Sequence, residues 1–361
     1  MNKRALLVCL LCLLSGLSLG AAVVGAAHVH SPAGPEAPNL VAVPVGLIVD
    51  EKGLDGDLVN QLCYQGLLMA EGDLGVVGAV YTPTDSSDYG AKIQQCADEG
   101  NVLCIASTFS LREAVANVAT SNPAVYFTMM DWTYDSYPAN LRSANFAHDE
   151  VGYMAGTLAG LMTSSNVVGD IGGMSIPAVD EFVYAYRNGA QCANPAARVL
   201  IQYADNFGSP AIGAEIAQSM IARGADVIFA PAGGTGAGAV VTATQSGAWG
   251  IGVDFDYYDT VFGGGVISGA DKLLSSAMKQ FDMGVYQTIS ETVYGAFSSG
   301  VVRYGLAVDG VGLAPFHGTE PSVPQSVKDA LDATRAGIIS GAVDTSEDCR
   351  EFIFTPLIVG K

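Results

Sequence analysis

The stretch "FAPAGGTGAGAV", residues 229–240, is an apolar run followed at once by a dense set of glycines. Such a stretch either cradles a phosphate or offers bare backbone to some other ligand, and the choice separates an enzyme from a binding protein. Immediately upstream, "DVIFAPA" reads as a short buried strand; downstream, a helix from about Gly238 leads to a second strand, "WGIGVDFD". Strand, glycine turn, helix and strand form one unit of a parallel sheet, which binds ligands outside the carboxyl ends of its strands.

Working outward, the same rhythm fills the chain. Before the glycines come helix "HDEVGYMAGTLAGLMTSS", strand "NVVGDIGGM", helix "AVDEFVYAYRNGAQCAN", strand "ARVLIQYA" and helix "PAIGAEIAQSMIARG". Nearer the N-terminus, strands "VPVGLIVD", "LGVVGAVYT", "VLCIAST" and "AVYFTMMD" alternate with helices "LVNQLCYQGLLMAEG", "SSDYGAKIQQCADEG" and "SLREAVANVATSN". These are two doubly wound α/β lobes. The segments after Gly265 are too few for a third domain and are expected to complete the two sheets. The expected division is residues 44–146 with about 256–300 in lobe 1, and 147–255 with about 301–357 in lobe 2. The crossing segments are placed near Phe146 and Phe255.

The 361 residues are 50 % hydrophobic and carry 36 acidic against 16 basic side chains, a formal net charge of -20. A nucleic-acid backbone or an anionic membrane surface would be repelled, whereas a small neutral or polar ligand would not. Residues 1–27, with Lys3 and Arg4 ahead of an apolar run, have the order of a secretory signal or an N-terminal anchor, and 28–43 read as a linker. Either reading places the folded part outside the cytoplasm. Cys9 and Cys12 fall within that segment and lack the preceding small residues of a lipid-attachment site. Cys63, Cys96, Cys104, Cys192 and Cys349 have no zinc-ligand spacing; disulfides and buried thiols both fit them.

Residues just after the strands are the site candidates: Asp50, residues 107–109 including Phe109, Asp131, residues 205–207, the glycines from Gly233, and Asp254. Three carboxylates at strand ends can cap the following helices or accept paired hydroxyls such as those of a ribose. Phe207, in the polar loop "YADNFGSP", has little core to fill and suits a stacking platform.

Four blocks in order, "VVGDIGGMSIPAVDEFVYAYRNGA", "ADVIFAPAGGTGAGAV", "WGIGVDFD" and "SSAMKQFDMGVYQTI", together with the opening "GLIVDEKGLDGDLVNQLCYQG", resemble the basic membrane protein family of purine-nucleoside receptors. The resemblance runs from about Val45 to Pro315. It implies the type I periplasmic-binding-protein fold, two doubly wound parallel-sheet lobes joined by crossing hinge segments and closing on a ligand. It also implies that Asp50, Gly233, Asp254 and Lys279 lie near the ribose, with Gly234 in the same wall, and that Phe207 stacks on the base. The family's second aromatic, just before the asparagine of the first helix, is replaced here by Val59 ahead of Asn60. Trp132, Tyr134 or Tyr137 are candidates to supply that face, and another sugar-containing ligand is the alternative to a purine nucleoside. The partners so implied are an ABC permease and its ATPase at the outer face of the cytoplasmic membrane, with no cofactor and no catalysis.

Other classes fare worse. A tubulin-like GTPase would work in the cytoplasm, and a dinucleotide fingerprint, with which the spacing from Gly234 to Asp254 is compatible, fits poorly with a location outside the cell. A triad of Ser110, His148 and a carboxylate lacks the G-x-S-x-G elbow, and His148 and His317 read as solvated side chains. A signalling receptor of the same fold is not separated from a transport protein by this chain alone.

Overall fold

The computed structural model describes residues 43–349; the expected signal or anchor, nearly all of the expected linker and residues 350–357 lie outside the described residues. From the N-terminal side the chain runs through β1 (Val43–Ile48), α1 (Gly53–Gly56), α2 (Leu58–Leu74), β2 (Val76–Tyr81), α3 (Tyr89–Asp98), β3 (Leu103–Ala106), α4 (Arg112–Ser121), β4 (Tyr126–Met130) and β5 (Leu141–Phe146). It continues with α5 (His148–Met162), β6 (Val167–Gly172), α6 (Pro177–Ala193), β7 (Arg198–Tyr203), α7 (Pro210–Ala222), β8 (Val227–Phe229), α8 (Gly233–Gln245) and β9 (Trp249–Asp254). The remainder is α9 (Tyr257–Thr260), β10 (Leu273–Lys279), α10 (Phe281–Val293), β11 (Gly300–Tyr304), β12 (Val311–Leu313) and α11 (Gln325–Ser340).

Two six-stranded sheets result, ordered β11-β5-β4-β3-β1-β2 and β12-β10-β9-β8-β6-β7. All pairings are parallel except β10 with β12. Helical crossovers impose this, because parallel neighbours need a long connection that covers the sheet face. The fully buried β3, the sequence "LCIA", shows the continuous apolar run such strands require.

The sheet orders correct the expected boundaries. β10 belongs to the second sheet and β11 to the first, so the chain crosses between lobes at Ala147, Gln280 and Gly305. Lobe 1 regains only the α10 to β11 segment, and α10 packs on α2. The segment at Phe255 does not cross, since β9 and β10 are neighbours in one sheet. The crossings are tied to one another: the Ala147 amide donates to the Tyr304 carbonyl at 3.0 Å, and the Gln280 amide to the Gly310 carbonyl at 3.0 Å. One apolar core passes through them, from Leu47 and Phe146 to Phe229 and Leu274.

Helix α8 starts at Gly233, five residues before the expected Gly238, so the glycine "loop" is helical. Packing explains the difference. A Cβ on Gly236 would lie 2.3 Å from the Ala230 carbonyl oxygen, and one on Gly238 2.3 Å from that of Pro210. These glycines let α8 approach β8 and α7 more closely than any side chain allows. That contact outweighs the roughly 1 kcal/mol per residue that glycine loses in a helix.

Disulfides join Cys96 to Cys104 and Cys192 to Cys349, while Cys63 is a buried free thiol. Asp170, in the middle of β6, is buried with neither carboxylate oxygen hydrogen-bonded. Burial alone pushes its carboxyl well up. Its folded-state pKa thus exceeds the unfolded one, so the stability tied to it is full at acid pH and is lost as pH rises above about 3.9. Asp170→Asn is expected to raise stability in denaturant unfolding more at pH 8 than at pH 5, by about 1.4 kcal/mol for each unit of upward shift spanned. An equal change at both pH values would show that Asp170 is ionised in the folded core.

Candidate functional site

Between the carboxyl ends of the two sheets lies a cleft of about 570 Å³, lined from both lobes and within the size range of small-molecule sites. Asp50 follows β1, Phe109 follows β3 and Asp131 follows β4 on the lobe 1 side; Phe207 follows β7, Gly233 and Gly234 open α8, Asp254 ends β9 and Lys279 ends β10 on the other. All of these expected residues line the cleft. Asn60 is the exception. It is fully buried behind the wall, donating to Asp50 Oδ1 at 2.8 Å and to the Gly53 carbonyl at 3.0 Å, and accepting from Ser107 Oγ at 2.5 Å. Its amide holds Asp50 in place.

Lys279 is the electrostatic centre. Its Nζ donates to Asp131 Oδ2 at 2.6 Å and lies 2.7 Å from Asp254 Oδ1, so one ammonium joins carboxylates of opposite lobes. Burial alone draws the ammonium down, but Asp131 and Asp254 more than reverse this and raise it. Burial likewise raises the Asp131 carboxyl, and the charges of Lys279 and His148 overcome that and hold it well below the usual range. Asp131 and Asp254 both have left-handed backbone, φ 57° and 66°, a conformation that aspartate tolerates better than most residues.

The Phe207 ring packs against Gly173, where a Cβ would come within 2.1 Å of it. Its carbonyl accepts from the Thr235 amide at 3.1 Å, so the α8 amides left at the cleft wall are those of Gly233 and Gly234. Facing it from lobe 1 is Phe109, half-exposed, with ring centroids 6.1 Å apart. Trp132 stacks behind Phe109 at 6.5 Å, and the Arg112 guanidinium covers Trp132 at 4.9 Å. Of the three aromatic candidates only Trp132 lines the cleft. Tyr134 Oη donates instead to the Arg112 carbonyl of α4, and Tyr137 Oη bonds Ser143 Oγ of β5.

His148 and His317 are not solvated side chains. His148 is 1 % exposed and touches Asp131 and Glu181; His317 contacts Asp256 at 2.6 Å and stacks on Tyr258. Ser110 bonds Thr108 instead, so no triad forms. The wall also contains Ile176, Val179 and Phe182 around the start of α6, with Tyr257 and Phe281. Nothing in the sequence singled these out, because apolar residues at helical spacing look the same in a core and in a cleft wall. Among the described residues no group of His, Cys, Asp or Glu could hold a metal ion, and no helix is long and apolar enough to cross a membrane.

Two parallel-sheet lobes with a lined cleft and three hinge crossings define a solute-binding protein of the ABC-transporter type, a receptor and not an enzyme. The chain belongs to the Bmp family, described as "ABC transporter substrate-binding protein PnrA-like", which it matches over residues 43–343. It is 29 % identical over 320 residues to the CD4+ T-cell-stimulating antigen of Listeria innocua, covering 84 % of this chain and 88 % of that one. It is also 29 % identical to the ABC transporter nucleoside-binding protein BmpA of Lactococcus lactis, over 95 % and 99 % of the two chains. A solved solute-binding protein of Aeropyrum pernix shares the fold with a TM-score of 0.69 at 22 % identity, covering 86 % of this chain and 95 % of that one. Substrate-binding proteins of ABC importers work outside the cytoplasm, where disulfides such as the two seen here persist.

Proposed function

We propose that the cleft binds a nucleoside of purine type and that the closed protein delivers it to a membrane permease. The observation that carries this reading is the pairing of two aromatic rings from opposite lobes, Phe109 and Phe207, with the acidic cluster around Lys279. A flat base between two rings needs a ring separation of about 7 Å, twice a carbon–carbon contact. The rings now lie 6.1 Å apart and tilted by 57°, so ligand entry must both widen their spacing slightly and turn them toward parallel. Phe109 replaces the aromatic missing at Val59, with Trp132 and Arg112 stiffening it from behind. Asp50, Asp254, Lys279 and the Gly233 and Gly234 amides then meet ribose hydroxyls, while Asp131 accepts from the base. The name of the Lactococcus relative points the same way.

Calorimetric titration with guanosine, inosine, adenosine, uridine, free guanine and ribose tests this. Purine nucleosides are expected to bind most tightly; binding of ribose with no nucleoside binding would overturn the ligand class and leave the fold intact. Phe207→Ala is expected to weaken guanosine and free guanine alike, by about 1–3 kcal/mol, because stacking engages only the base. A loss confined to guanosine would move Phe207 to the sugar.

A further inference from the structure

His148 is the first residue of α5, directly after the crossing at Ala147, and is 1 % exposed. Its Nε2 lies 2.7 Å from Asp131 Oδ1 and its Nδ1 3.1 Å from Glu181 Oε2. Asp131 follows β4 in lobe 1, whereas Glu181 sits on α6 in lobe 2. A neutral imidazole has one N–H, so it can donate to one of these carboxylates and must turn a lone pair to the other. Only the imidazolium donates to both.

We propose that His148 is a proton-operated latch of the cleft: closing the lobes brings Asp131 onto an imidazole already facing Glu181, and the closed form takes one proton from solvent. This rests on the reading that the protein closes on its ligand, and it adds a regulation of that event.

The surroundings support it. The charged groups facing the imidazole are Asp131, Glu181 and, on the far oxygen of Asp131, Lys279, which is itself held by Asp254. The amino end of α5 and Lys279 oppose a positive charge here; the two carboxylates favour it. Burial draws the imidazole down, Asp131 and then Glu181 push it up, and the net direction is up. The Phe182 ring, 5.1 Å away, seals one side. A cavity of about 20 Å³ bounded by Asp131, Asn145, His148 and Glu181 is large enough for one water, a route for the proton. On opening, the Asp131 contact is lost, and Glu181, 41 % exposed, can turn to solvent.

The sign follows. The closed form has the higher pKa, so ligand affinity is full below the open-form value. It falls about tenfold per pH unit above that, until the closed-form pKa is reached. Calorimetry with guanosine from pH 6 to 9, in phosphate and in Tris, should show net proton uptake on binding at pH values between the open-form and closed-form midpoints. His148→Gln should bind with a flat profile at the weak alkaline level of the native protein. Matching pH profiles for native protein and variant would overturn the latch. A second measurement follows the imidazole C–H resonance of His148, assigned by its loss in His148→Gln: in the ligand-free, open protein it should titrate below its closed-form midpoint, Glu181→Gln should lower it further, and bound guanosine should raise it. A ligand-free midpoint unmoved by Glu181→Gln overturns the proposal even if guanosine does not bind, and so does a midpoint that bound guanosine leaves unchanged. Failure of guanosine to bind while the resonance behaves as expected removes the nucleoside reading alone.

Discussion

Lys279→Met is expected to abolish tight ligand binding and to lower the stability of the free protein by about 3 kcal/mol, read by urea unfolding. Methionine matches the length and apolar stem of lysine, so packing against Phe182 and Phe281 is kept and the change is electrostatic. What remains is a pair of carboxylates, Asp131 and Asp254, that had shared one ammonium from opposite lobes. Asp254 then loses its partner, Asp131 keeps only His148, and the two carboxylates repel each other across the cleft. The value sits at the low end for a broken buried pair, because Asp131 and Asp254 retain 17 % and 21 % side-chain exposure and water can reach them.

The pH dependence gives a second signature of the same change. Asp131 has a depressed pKa, so its contribution is present above the unfolded value near 3.9 and is lost as pH falls. Lys279 has a raised one, so its contribution is present below about 10.4 and is lost as pH rises through the folded value. The variant should therefore lose part of both the acid and the alkaline limb of the native stability profile. Adding Asp254→Asn to Lys279→Met should recover part of the stability, since it removes one of the facing charges. Unchanged stability in the single variant would mean that the ammonium is fully replaced by solvent.

The three strand-end aspartates were legible because a strand that closes on a carboxylate breaks an apolar run, and the sheet then carries that residue to the cleft. Phe207 was legible as a large aromatic in a polar post-strand loop, whereas Lys279 was reached only through the family resemblance, as a lysine at the end of "SSAMK" has many other uses. Sheet membership was not legible: the segments after Gly265 were expected only to complete the two sheets, and pairing in space gives β10 to lobe 2 and β11 to lobe 1. His148 was hidden for a related reason. Its partners lie 17 and 33 residues away on different elements, and a lone histidine opening a helix of small residues looks solvated. The glycines of "GGTGAG" divide their work. Gly233 and Gly234 face the cleft, whereas Gly236 and Gly238 serve helix packing, and sequence spacing cannot distinguish the two uses.

Asp254→Asn isolates the sugar side of the cleft. Asparagine tolerates the left-handed backbone at φ 66° and keeps the shape of the side chain, removing the charge and one acceptor. If Asp254 accepts from ribose hydroxyls, guanosine should bind more weakly by about 2 kcal/mol, the value of one charge-assisted hydrogen bond lost, while free guanine should bind as before. Asp254→Ala removes both acceptors and should weaken guanosine by about 4 kcal/mol. It should also destabilise the free protein by about 1 kcal/mol more than the asparagine variant, because alanine is strained in the left-handed region. Guanosine and guanine losing affinity equally would place Asp254 against the base. Guanosine affinity unchanged in both variants, with Lys279 still paired to Asp131, would limit Asp254 to holding the ammonium.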